Sequence, residues 1–170
     1  MATTPITATD PALKTDARAA KYLVFHLGEE EFAIQVQKVR EIMGVQEITQ
    51  VPQTPAYVKG VLNLRGKVIP VIDLRLKFGL PEMAYGQRTC IIVVQIAGSR
   101  GPVWMGVVVD GVAEVLQVAS ADVEDTPSFG QDVSVPYVMG LAKVKGRVKI
   151  LLDIDRVMTA RELAHFDLAN

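Results

Sequence analysis

Apolar and polar residues alternate in short runs along most of this chain. Leu23, Phe25 and Leu27 alternate with Val24 and His26, the period of two that sends successive side chains to opposite faces of a strand. Gly28-Glu29-Glu30-Glu31 predicts a turn, with the three glutamates at a solvated hairpin tip, and alternation resumes at Phe32, Ile34 and Val36. Together these runs predict a hairpin that begins near Tyr22. Val36, Val39 and Ile42 then recur every three residues, which suits either a helical turn or a bulge leading into another strand. In Thr54–Gly60 the pattern predicts a short helix, with Thr54 as cap, Pro55 at the first helical position and Gly60 at a left-handed exit. Strands are predicted for Val61 to Leu64 and Val68 to Ile72, joined through Arg65-Gly66-Lys67. Asp73 is predicted to cap a short helix ending near Phe78-Gly79.

The second half repeats this grammar. Ile91 to Ile96 and Val103 to Val109 read as strands around the turn Gly98-Ser99-Arg100-Gly101, and Val112-Ala113-Glu114-Val115 matches Val39-Arg40-Glu41-Ile42. A polar loop runs from about Ser120 to Ser134. The segment Tyr57–Leu74 then recurs as Tyr137–Ile154, with Tyr, Val, both glycines, a later Val and the closing Asp identical. A repeat of this length is a supersecondary unit used twice. Arg156 to Leu168 is predicted to form a closing helix with Asp155 as its cap, and residues 1–20 a flexible tail ahead of one domain spanning 21–168. Each half holds about five short strands and little helix, the pattern of small barrels that close their own edges. Each half alone is marginally small, so the two barrels are expected to share a core, with strands crossing between them.

Composition narrows the function. The chain has 170 residues, 49% of them hydrophobic, a net charge of −1 and no long basic run. Nucleic acid as a main partner would call for a basic patch and interleaved aromatics, which are missing. No run of about 18 apolar residues is present, so no membrane insertion is expected. The single cysteine, Cys90, fits a reducing cytoplasm and reads as a buried strand thiol. The two histidines, His26 and His165, lack neighbouring ligands, so neither a metal nor another cofactor is expected. Asp73 and Asp153 hold the same position in the repeat, which favours a shared capping role over a catalytic carboxylate pair. The stripe Val36, Val39, Ile42 beside Lys38, Arg40 and Glu41 has two readings: a core-facing edge, or an exposed groove for an amphipathic helix.

Four segments carry a family resemblance: Leu23-Val24-Phe25-x-Leu27-Gly28, Lys38–Ile42, Thr54–Gly66 with its Asn63-Leu64-Arg65-Gly66 ending, and Val68–Arg75. Val107–Val112 fits as well. Together they resemble CheW, the coupling-protein family of bacterial chemotaxis. The resemblance implies a mainly β fold, two intertwined five-stranded SH3-like barrels with short helices and a C-terminal helix. It implies a non-enzymatic cytoplasmic adaptor at receptor arrays on the inner face of the membrane. Its partners would be the cytoplasmic tip of chemoreceptors and the regulatory domain of a CheA-type histidine kinase, with homotypic ring contacts. Val36, Val39, Glu41, Ile42, Gly60 and Arg65 would face the receptor, with Arg65 and Glu41 paired to order the groove. Val112 is the repeat counterpart of Val39. The alternatives are an adaptor of a pathway controlling pili or gliding and, from another class, a small β-barrel enzyme or ligand-binding domain.

Overall fold

A computed structural model of the chain describes residues 16–98, 100–126, 136–159 and 162. In chain order its strands are β1 (Ala20–Leu27), β2 (Glu30–Gln35), β3 (Val39–Gly44), β4 (Val58–Leu64) and β5 (Lys67–Asp73), then the one-turn helix α1 (Leu74–Lys77). They continue as β6 (Cys90–Gly98), β7 (Gly101–Val109), β8 (Gly111–Val118), β9 (Val123–Glu124), β10 (Val138–Val144) and β11 (Arg147–Leu152). Short 3-10 turns occupy Val36–Lys38, Ser120–Asp122 and Ile154–Arg156. The first settles the every-third-residue spacing at Val36: a helical turn feeds a bulged strand.

One sheet runs β8-β1-β2-β11-β10-β9 and the other β3-β6-β7-β5-β4. The first therefore has six strands where five were expected, the extra one being the two-residue β9. Each sheet takes two adjacent strands from one half of the chain and its remaining strands from the other, so the halves are interlocked. Each sheet also curls back on itself. Beyond β3, Thr49 exchanges backbone hydrogen bonds of 2.9 and 2.8 Å with Val61 of β4. Beyond β8, the chain turns into β9, which pairs with β10. Three apolar clusters result. One fills the first barrel around Tyr22, Val24 and Leu151, and another fills the second around Leu62, Ile69 and Val93. The largest lies between the barrels and includes Phe25, Ile34, Ile72, Ile92, Val107 and Leu152. β1 faces two of these clusters, and for that reason Val24 is as buried as Leu23 and Phe25 despite the alternation.

Several local expectations need correction. Thr54–Gly60 is not a helix. The Val58 amide donates to the Pro55 carbonyl in a turn, the Thr54 hydroxyl donates to the Val51 carbonyl, and Gly60 lies within β4. Barrel closure through Thr49 outweighs the local helix signals there. Glu31 is not at a solvated tip: it is buried in β2 against Lys149. Asp155 caps no helix. Its carboxylate takes the Lys38 ammonium at 2.7 Å and the Ala97 amide at 2.9 Å. Thr159 and Glu162 instead exchange amide-to-side-chain hydrogen bonds of 3.1 and 2.7 Å, a capping-box pairing. The closing helix, His165 and most of the N-terminal tail lie outside the described residues. Among the described residues no helix is long and apolar enough to cross a membrane.

Candidate functional site

The β4–β5 turn places Arg65. Both turn residues have positive φ, 50° at Arg65 and 87° at Gly66, the backbone of a tight two-residue hairpin turn. Asn63 locks it by accepting the Gly66 amide at 2.8 Å. Leu64 is buried, so the strand is anchored immediately before the turn lifts Arg65 into solvent. This accounts for the Asn-Leu-Arg-Gly order: a side-chain lock, an anchor, a presented cation and a turn glycine.

β3 places Glu41. Its pairing with β6 slips by one residue between Val39 and Glu41, a bulge that re-aims the strand. Val39 packs on the core between the barrels, Met43 on the interior of the second barrel, and Glu41 sits half-buried between them. Barrel closure then brings β3 and the β4–β5 turn together. Arg65 grips Glu41 with two hydrogen bonds, 2.6 Å to Oε1 and 3.3 Å to Oε2. The guanidinium holds the Glu41 carboxyl below its ordinary range, and Glu41 raises Arg65 in return.

The apolar stripe divides. Val36 and Val39 are half-buried and pack against the shared core. Ile42 points the other way and is 46% exposed. The two readings of the stripe thus hold for different members of it. Gly60 has φ +138°, and a Cβ there would lie 2.0 Å from the Thr49 carbonyl oxygen. No side chain fits at that position while the barrel is closed.

The repeat builds the same arrangement on the first barrel. Glu114 and Lys145, the counterparts of Glu41 and Arg65, form an ion pair at 2.8 Å. Lys145 and Gly146 repeat the turn with φ of 57° and 76°. Val112 packs on the shared core as Val39 does, and Val115 is exposed as Ile42 is. The second ion pair was not singled out from the sequence, although aligning the two copies places Lys145 on Arg65 and Glu114 on Glu41.

The repeated aspartates cap. Asp73 Oδ1 accepts the Arg75 and Leu76 amides at 2.9 and 3.3 Å, and Asp153 Oδ1 accepts the Asp155 amide at 3.1 Å. Cys90 is half-buried against the shared core, and burial pushes its thiol pKa up, away from the thiolate needed for reactivity. Around Glu41 lie a half-buried apolar edge and a bidentate ion pair, with the exposed Ile42 on the opposite face of β3; apolar area beside a fixed charge pair suits contact with another protein.

Known proteins are similar to this chain over most of its length. The family model for the CheW-like domain matches residues 21–162. The Chemotaxis protein CheW of Klebsiella aerogenes is 37% identical over 160 residues, covering 94% of this chain and 94% of that protein. Protein FrzA of Myxococcus xanthus is 30% identical over 161 residues, covering 92% of this chain and 98% of that protein. Among solved structures, that of the scaffolding protein TtCheW from Thermoanaerobacter tengcongensis is similar with a TM-score of 0.74 and 32% identity, covering 85% of this chain and 97% of that one.

Proposed function

This chain belongs to the CheW family, and from that premise we propose that it is a non-enzymatic adaptor coupling chemoreceptors to a CheA-type histidine kinase in the cytoplasm. The receptor's cytoplasmic tip docks on Val36, Val39, Glu41, Ile42 and Arg65, while Gly60, buried in β4, shapes that surface from beneath. The kinase's regulatory domain and further copies of the fold join it through ring contacts at receptor arrays. The observation that carries the reading is the Glu41–Arg65 pair. It ties β3 to the β4–β5 turn beside the half-buried Val36 and Val39. An exposed pair of this kind is a weak source of stability, so its value lies in fixing the shape that a partner meets. Gly60 contributes by letting the Thr49 carbonyl approach, which keeps that shape closed. Signal passes through such an adaptor only if it binds the two receptor states with different affinity.

The test is phosphorylation of a CheA-type kinase mixed with chemoreceptor membranes, with and without this protein. Strong activation that needs all three components and falls with attractant is expected. Arg65→Glu should lose most of that activation with its far-UV circular dichroism unchanged, because like charge then faces Glu41. Full activity of that variant, or no activation by the parent protein with competent partners, would sink the assignment. The likeness to FrzA supports a second reading, the same adaptor role in a pathway controlling pili or gliding, since a relative covering 92% of this chain does not bear the chemotaxis name.

A further inference from the structure

The two barrels differ at one pair of equivalent places. In the first, β2 and β11 run parallel, with Glu31, Phe32 and Ala33 paired to Lys149, Ile150 and Leu151. The open end of that seam is sealed by charge: Lys149 Nζ lies 2.9 Å from Glu31 Oε1 and donates to the Val144 carbonyl at 3.0 Å, with Arg147 3.8 Å from Glu31 Oε2. In the second barrel β5 and β7 pair only from Val71–Gly106 to Asp73–Val108. The counterparts of the sealing pair are Ile69 and Trp104, and Pro70 stands where the first barrel has Ile150. A proline has no amide to give to a ladder, and the ladder ends there.

Below that point β5 and β7 separate around a cleft of about 540 Å³ between Lys67–Pro70 and Gly101–Trp104. Its floor is Trp104, half-buried, with Lys67 Nζ 4.4 Å from the ring centroid. Gln95 accepts from both the Trp104 indole at 3.1 Å and Arg40 at 3.0 Å, which fixes the ring's orientation. The cleft's lining includes Lys67 and Arg100 and contains no carboxylate. Val68 on its rim is 50% exposed. A basic, aromatic-floored gap between two strand edges fits an extended chain bearing negative charge, since strand edges take extended segments and opposite charge selects them.

We propose that the cleft between β5 and β7 receives an extended segment of a partner protein that carries carboxylates beside apolar side chains. This contact adjoins the Glu41–Arg65 surface at Gly66 but includes neither of those two residues. Amide NMR of the full chain, titrated with a blocked octapeptide of alternating glutamate and valine, tests it. Saturable shifts are expected at Lys67, Val68, Ile69, Val103 and Trp104, including the indole N–H of this chain's single tryptophan. High salt, or the double variant Lys67→Glu with Arg100→Glu, should weaken binding by at least about tenfold, as for a charge-selected contact. Both side chains are exposed, so that variant should keep its melting temperature. The corresponding lysine–valine peptide should leave the spectrum unchanged. No shifts, an equal response to the basic peptide, or shifts centred on Glu41 and Arg65 would each overturn the proposal, and only the last would implicate the receptor surface.

Discussion

Lys149 is 2% exposed and Glu31 9% exposed, so each charge depends on the other for the solvation it has lost. Removing one partner of a buried pair leaves the other stranded, whereas replacing both with apolar residues costs little. Lys149→Met should therefore destabilise the protein by about 3–5 kcal/mol in urea unfolding. Glu31→Leu combined with Lys149→Ile should lie close to the parent. The pair also sets an acid response. The Lys149 ammonium, 2.9 Å away and ahead of all other causes, holds the Glu31 carboxyl below its ordinary value of 4.5. A carboxyl lowered on folding contributes stability above its unfolded value and loses it as pH falls through the folded one. The gap between parent and Lys149→Met should thus be full at neutral pH and close below pH 4.5. A gap independent of pH would show that Lys149 acts through packing alone. Glu31 was misread because a run of three glutamates looks solvated; its burial comes from pairing with a strand more than a hundred residues away. Glu41 with Arg65 was legible because a family resemblance supplied the pairing that spacing alone could not.

At the scale of elements, the glycines of β4 and β10 show how closure overrides local grammar. Thr54-Pro55 ahead of Gly60 carries every local sign of a capped helix, yet the Thr49 carbonyl decides the outcome from eleven positions away. That approach is a long-range backbone contact, invisible to periodicity. A Cβ at Gly60 would meet backbone at 2.0 Å, while one at Gly140 would meet the Arg18 Nη1 at 2.8 Å and the Glu124 carbonyl at 2.9 Å. Gly79 has φ +80° with nothing within 4 Å. Alanine substitutions should therefore destabilise in the order Gly60, Gly140, Gly79. The first should cost about 3 kcal/mol or more through clash plus strain, and the last about 1 kcal/mol from backbone strain. Denaturant midpoints of the three variants check the order. If Gly79→Ala were the worst, dihedral strain rather than closure would govern these positions. The hairpins, the Asp73 cap and the matching Asp153 were legible because each depends on residues adjacent in sequence.

For the whole molecule, the duplicated segment pointed to two barrels, but which strands each barrel borrows was not readable. Alternation locates strands without naming their neighbours. The borrowing has a physical consequence. β1 and β2 are completed by β8, β10 and β11, and β6 and β7 by β3, β4 and β5. Neither half of the chain can close a barrel alone. Between the barrels Phe25, Phe32, Phe78 and Tyr137 pack ring against ring in sequence, with centroid separations of 6.0, 5.7 and 4.7 Å, the middle pair tilted and the outer two stacked. The largest apolar cluster belongs to both barrels. The protein should therefore unfold in a single calorimetric transition, with van't Hoff and calorimetric enthalpies equal. A core truncation at the seam gives a sharper test. Leu152→Ala, on β11 of the first barrel and buried in the shared cluster, should cost about 2–5 kcal/mol. If the barrels open only together, the slowest-exchanging amides of β4 and β10 must lose protection by the same factor in this variant. Loss confined to β10 would mean that the first barrel opens alone. Joint opening makes strain at one barrel felt by the other, so a contact that loads either barrel changes the stability of both.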